Sequence, residues 1–161
     1  MTNPILEADL LVSGAELITM NARREVIRDG AIAVRGNSIV AVGKREALER
    51  SVRARATRDA SGFVLTPGFH DGHIHITGDP LTRGFVRRVP DQSWNDNLSK
   101  WVIPLFKAQT PADEALAAKL SALAMIRFGT TSFMEAGTVI HLEAVMEGLA
   151  DSGIRGRVGR W

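Results

Sequence analysis

The chain has 161 residues, 45% of them hydrophobic and 24% charged, a composition that allows a sizeable core and excludes disorder along the whole length. A formal charge of +2, arginines scattered along the chain and no tyrosine argue against a nucleic-acid-binding surface. Cysteine is absent, which excludes disulfides, thiolate metal sites and cysteine nucleophiles, so a metal would have to be held by histidine and carboxylate.

Residues 9–65 read as β-rich. Leu10-Leu11-Val12 and Leu17-Ile18-Thr19-Met20 are short β-favouring runs on either side of Ser13-Gly14. Ala31 to Arg35 and Ser38 to Val42 flank Gly36-Asn37, a pair that tolerates positive φ and so signals a hairpin. Lys44 to Arg50 fits a short helix. Arg53 to Ser61 is mostly polar and reads as irregular, before the apolar Phe63-Val64-Leu65.

Pro67-Gly68 punctuates the chain, and the pattern becomes strand, long loop, helix, strand, helix, strand. The first strand is expected near Gly68 to His75. A helix then starts with Thr110 as N-cap, Pro111 at N1 and Asp113-Glu114 in the first turn. Leu116, Leu120, Leu123 and Phe128 give it an apolar stripe near helical spacing, and Gly129 is its natural terminator. Thr130 to Met134 reads as a second strand. A second helix is expected over His141 to Asp151, with Leu142, Val145, Met146 and Leu149 buried and Gly153 as its stop. Gly156 to Trp161 looks like the start of a third strand. Strands alternating with helices imply parallel βα units joined by right-handed crossovers.

The chemistry is concentrated in Pro67-Gly68-Phe69-His70-Asp71-Gly72-His73-Ile74-His75. Alternation along a strand would place Asp71, His73 and His75 on one face and His70 on the other. Two imidazoles at i and i+2 near the carboxyl end of a strand can converge on one divalent ion. A bare His-x-His also fits solvated loop histidines or a satisfied core pair. The preceding Pro-Gly, the apolar residue and the aspartate turn the spacing into a signature.

That motif resembles the first barrel strand of the amidohydrolase superfamily, in which the two histidines of His-x-His bind the metal. The likeness extends through Gly30 to Val34, Asn37 to Gly43 and Asp59 to Gly68, which resemble the β-sandwich segment preceding the barrel and its run into strand one. Ala124 to Ser132 is similar to the junction between helix one and strand two in the deaminase and chlorohydrolase branch. So is the segment from Arg83-Gly84 past Trp94, which in that branch helps to cover the substrate. Two positions depart from the pattern. His70 stands where the family usually has an aliphatic residue, and Asp71 where this branch often has asparagine.

The resemblance implies an α/β fold: the first part of a TIM (β/α)8 barrel, about three strands over residues 66–161, preceded by a β-sandwich segment over residues 1–65. It implies a metal-dependent amidohydrolase that hydrolyses a C–N bond with metal-activated water, deaminating an aminated heterocycle or cleaving an amide, urea or carbamate. His73 and His75 would be metal ligands, with zinc expected and iron as an alternative. The family's remaining ligands and its proton-transfer residues would lie beyond Trp161, so this chain alone is expected to be inactive. The alternative is a non-catalytic fragment, or a subunit that needs a second polypeptide to complete the barrel.

Further residues are candidates for substrate contact. Glu135 falls at the end of the second strand, where a carboxylate could orient a ligand or bond loop amides. His141 starts the second helix, and Trp161 would form a pocket wall or core. Trp94, with Trp101, Leu105 and Phe106, could cap the barrel mouth, and Arg83, Arg87 and Arg88 could steer an anionic substrate. The N-terminus has no basic segment of a signal peptide, and no stretch approaches the ~20 apolar residues of a membrane span. The expectation is therefore a cytoplasmic protein with a small-molecule substrate, no nucleic-acid or membrane partner, and homo-oligomeric or completed by another chain.

Overall fold

A computed structural model of the chain describes residues 4–78, 80 and 93–161. It divides into two compact units, Met1–Pro67 and Gly68–Trp161.

In the first unit, β1 (Leu6–Ile18) lies at the centre of a sheet with β2 (Val26–Arg35), β3 (Ser38–Lys44), β4 (Val52–Asp59) and the short β5 (Val64–Leu65). The order is β3-β2-β1-β4, and β5 pairs with β1 beyond the end of β4. Ala8, Leu11, Ala31 and Ala33 form a core with Leu48, which belongs to the short helix α1 (Arg45–Ser51). The expected hairpin is present, with Gly36 at φ 58° between β2 and β3.

Two expectations in this unit are corrected. The runs around Ser13-Gly14 form one strand, because Gly14 at φ 92° absorbs a bulge that shifts the register between Ser13 and Ala15 without ending the pairing. Arg53 to Ser61, read as irregular, is largely β4. It pairs in parallel with β1 from Leu6–Val52 to Ser13–Asp59. Its alternation is carried by Val52 and Ala54, apolar residues that are easily overlooked between arginines. Those arginines lie across from acids of β1: Arg53 pairs with Glu7 at 3.5 Å and Arg55 with Asp9 at 3.4 Å.

The second unit is a parallel sheet in the order β6-β7-β8, comprising Phe69–Ile74, Thr130–Glu135 and Arg155–Arg157. Each connection between these strands contains helix, so the βα alternation is as expected. Trp94 to Lys107 is not loop: it runs as α2 (Trp94–Asn97), a π-helical turn (Leu98–Val102) and α3 (Ile103–Lys107). The Ser93 hydroxyl caps α2 by accepting the Asp96 N–H at 3.1 Å. Pro104, which has no N–H to give, sits at the start of α3, just after the π-helical turn.

The helix α4 (Pro111–Arg127) begins as its sequence dictates. Thr110 Oγ1 accepts the Asp113 N–H at 3.2 Å, and Asp113 Oδ2 accepts the Thr110 N–H at 2.9 Å, closing a reciprocal capping box. The hydroxyl and amide of Thr110 hold the Asp113 carboxyl below its ordinary range. A depressed carboxylate contributes stability above its unfolded value and loses it as the pH falls through the folded one. The start of α4 is thus expected to fray only in acid below the usual aspartate range. Following the Asp113 carboxyl carbon by NMR tests this, and a midpoint at or above the ordinary aspartate value would contradict it.

The leucine stripe of α4 faces away from the core. Leu116, Leu120 and Leu123 are 51%, 44% and 57% exposed, and Phe128 is exposed as well, whereas Ala117, Ala118, Ser121, Ala122 and Met125 are buried. Small residues face inward because the neighbouring helix α5 (Leu142–Ala150) comes close. A Cβ on Gly148 would lie 2.5 Å from the Ala115 carbonyl oxygen. Core volume comes from Ile76, Phe133, Val139, Val145 and Leu149. Of the predicted α5 stripe, Val145 and Leu149 are buried and Leu142 packs beside the core, but Met146 is exposed. Among the described residues no helix is long and apolar enough to cross a membrane.

Candidate functional site

The His-x-His pair stands where β6 ends. His73 lies in the strand and His75 one residue beyond Ile74, its last residue. Both are exposed, and their rings meet edge-to-face with centroids 5.1 Å apart. Ile74, between them, turns the other way and packs against the core.

Simple alternation does not hold along this strand. Asp71 aligns with Phe133 and Ile74 with Glu135, so three steps on β6 match two on β7. This is a bulge at Gly72-His73, and it reverses the side on which every later residue falls. Asp71 closes it by accepting the His73 N–H on Oδ1 at 3.1 Å. The expectation that Asp71 shares a face with the two histidines is therefore corrected. His70 is the residue on their side, and its ring Nδ1 is 2.9 Å from Ser132 Oγ on β7. That cross-strand bond gives the unusual histidine a partner in the sheet.

The remaining candidates separate into two groups. His141 reaches the segment between α3 and α4, and Trp161 reaches α3 itself. The His141 ring Nε2 lies 3.2 Å from the Gln109 carbonyl oxygen. Trp161 meets Phe106 edge-to-face at 5.9 Å, and the Phe106 ring occupies the space beside Gly78, where a Cβ would lie 2.4 Å from it. Gly78 in turn donates its N–H to the His75 carbonyl at 3.1 Å, so this group borders the turn that follows the histidine pair. Trp161 lies outside β8, held by its N–H to the Val139 carbonyl at 2.9 Å.

Glu135 and Trp94 are not part of that group. The Glu135 carboxylate is buried and accepts the Gly137 N–H at 2.6 Å, the Thr138 N–H at 3.0 Å and the Thr138 hydroxyl at 2.5 Å. It shapes its own loop. Trp94 is 70% exposed at the start of α2. Arg83, Gly84, Arg87 and Arg88 lie outside the described residues. Among the described residues, no group of three or more histidines and acids is placed to hold a metal ion. What the structure places side by side at this strand end is two exposed imidazoles.

Sequence reading missed two residues beside this site. Glu114, read only as a first-turn acid, is fully buried and accepts the Ile140 N–H at 3.1 Å and the His141 N–H at 2.6 Å. His141 makes no side-chain cap to α5, so the helix is capped from α4 instead. Ser121, buried in α4, donates to the Ile76 carbonyl at 2.8 Å. A polar residue on an alanine-rich face was the available signal for it.

The model of the amidohydrolase family matches residues 64–160, which include the histidine pair and all of β6, β7 and β8. The chain belongs to the amidohydrolase family. Relatives that it matches include deaminases. It is 34% identical over 153 residues to a 5-methylthioadenosine/S-adenosylhomocysteine deaminase of Pelotomaculum thermopropionicum, covering 95% of this chain and 34% of that protein. It is 29% identical over 148 residues to a 5'-deoxyadenosine deaminase of Methanococcoides burtonii, covering 92% and 32%.

Among solved structures it resembles an adenosine deaminase from Xanthomonas campestris with bound zinc (TM-score 0.83, 24% identity, 96% of this chain and 34% of that one). It also resembles an atrazine chlorohydrolase from Arthrobacter aurescens complexed with zinc (TM-score 0.75, 23% identity, 94% and 35%). At these identities the likeness is one of fold, and the fold is mixed α/β. The chain spans about a third of the length of the relatives it matches.

Proposed function

We propose that this amidohydrolase chain carries the first metal-binding strand of a hydrolase that deaminates an aminated heterocycle, with His73 and His75 as two of its metal ligands. The observation that carries this reading is the exposed edge-to-face pair at the end of β6, in a chain whose relatives are adenosine-type deaminases. Two imidazoles on one side of a strand end suit zinc, and iron to a lesser degree. When bound, such an ion lowers the pKa of coordinated water and polarises the group under attack. His73 and His75 would supply nitrogen donors. Asp71 would hold the bulge that aims His73, and Trp161 and His141 would border the region where substrate lies. Glu135 would act through its loop, and Trp94 would line the approach.

The architecture we propose is a β-sandwich segment over residues 1–65 followed by the first three strands of a TIM barrel. The exposed leucine face of α4 and the two edges of the β6-β7-β8 sheet, unpaired among the described residues, support it, since both are surfaces that further barrel elements would cover. The same surfaces favour a second reading, in which another polypeptide completes the site. On either reading the partner is a small-molecule substrate, not nucleic acid or membrane, in a cytoplasmic homo-oligomer or complemented assembly.

Complementation tests the function. The chain is mixed with the part of the Pelotomaculum relative that it does not match, loaded with zinc and assayed for ammonia release from 5'-methylthioadenosine. Release is expected only from the mixture and only with His73 present. Release that is indifferent to a His73→Ala change, or zinc uptake without any release, would sink the proposal.

A further inference from the structure

Two buried side chains reach one short stretch of backbone. Ser121 of α4 donates its hydroxyl to the Ile76 carbonyl at 2.8 Å, and Gln109, just ahead of α4, donates Nε2 to the Thr77 carbonyl at 3.1 Å. Ile76 and Thr77 are the two residues that follow His75, and both are fully buried. The β6–β7 ladder ends with the Ile74–Glu135 pair, so His75 lies past its last rung. The turn to Gly78, whose N–H donates to the His75 carbonyl, continues the backbone from there. Ser121 and Gln109 anchor that turn from outside.

Gln109 is a costly choice for this position. Its Oε1 is buried without a hydrogen-bond partner among the described residues, as is Thr77 Oγ1, and an unsatisfied buried acceptor weakens the fold. An apolar residue of similar volume would avoid that cost. What the amide supplies is the bond to the Thr77 carbonyl, while its own backbone carbonyl receives the His141 ring.

We infer that Ser121 and Gln109 are positioning residues, which fix the carbonyls of Ile76 and Thr77 and so set the direction in which the His75 ring leaves the strand end. The inference rests on the proposed role of His73 and His75 as nitrogen donors to a metal. A metal ligand gains affinity when its orientation is fixed before binding. Here the fixing acts on the ligand's backbone, not on its ring.

Ser121→Ala and Gln109→Met remove the two donors at nearly constant volume. In the full chain, the double variant is expected to bind zinc about 10–100-fold more weakly than the wild type, the range seen when groups that orient metal ligands are lost. Leu149→Ala, in the same core, serves as the control. It should lower the melting temperature while leaving zinc affinity within about twofold, since it touches no group that orients a ligand. Unchanged affinity in the double variant, or an equal loss in the control, overturns the inference.

A second readout needs no metal. Hydrogen exchange at the Gly78 amide should accelerate about tenfold or more in the double variant and not in the control. If the wild type takes up zinc no better than a chain lacking both His73 and His75, the metal reading fails. The positioning of His75 is then decided by exchange alone: acceleration at Gly78 upholds it and unchanged exchange overturns it.

Discussion

Replacing His73 or His75 with alanine is expected to weaken zinc binding about 100-fold or more, at or beyond the upper end of what loss of a merely orienting group costs. The two rings meet edge-to-face at 5.1 Å and are exposed, so neither fills core volume. Truncating them should leave stability within about 0.5 kcal/mol of the wild type, as for surface substitutions in general. That separation is what makes the experiment informative. Isothermal titration with zinc, run beside thermal unfolding of the metal-free chain, reads both quantities. His70→Ala is the internal contrast: its ring bonds to Ser132 and should cost far less zinc affinity than either of the other two. Retained zinc affinity in His73→Ala and His75→Ala, or a loss in His70→Ala as large as theirs, would remove the pair from the site.

Glu114→Ala should be among the most destabilising single changes in Gly68–Trp161, at about 3 kcal/mol. Two backbone amides, of Ile140 and His141, donate to one fully buried carboxylate. Hydrogen bonds to a charged group are worth about 1.5–3 kcal/mol each, and the partners left behind would be buried and unpaired. The charge also lies at the N-terminal end of α5, where the helix dipole favours an anion. Glu114→Gln keeps one acceptor but turns an N–H towards the second amide, so it should recover less than half of the loss. Denaturant unfolding of the three proteins measures the series. A Glu114→Ala chain within about 1 kcal/mol of the wild type would show that this carboxylate is not the cap of α5.

Much of the second unit was legible because its signals are local. The Thr110–Asp113 box, Pro111 and the left-handed Gly129 fix both ends of α4 by chemistry within a few residues. Gly36 fixes the hairpin of the first unit in the same way. β4 was not legible. A strand recognised by its alternation needs large apolar residues on one side, and here Val52 and Ala54, beside arginines, carry the pattern. The run through Gly14 reads as two strands because a glycine at positive φ is the mark of a turn as well as of a bulge.

The histidine pair shows where the division falls. The sequence by itself determined that two imidazoles two residues apart stand at a strand end after Pro67-Gly68, and that their neighbours suit the amidohydrolase pattern. It could not determine which neighbour shares their side. A bulge is a mismatch between two strands, and the partner strand lies some sixty residues away, as the His70–Ser132 bond shows. The leucines of α4 carry the same lesson. Helical period put Leu116, Leu120 and Leu123 on one face, but periodicity is blind to which face meets the sheet. Close approach of α5 through Gly148 decided that, turning the alanines inward and the leucines out. Spacing along a chain sets what can act together, and packing between distant segments sets where it points.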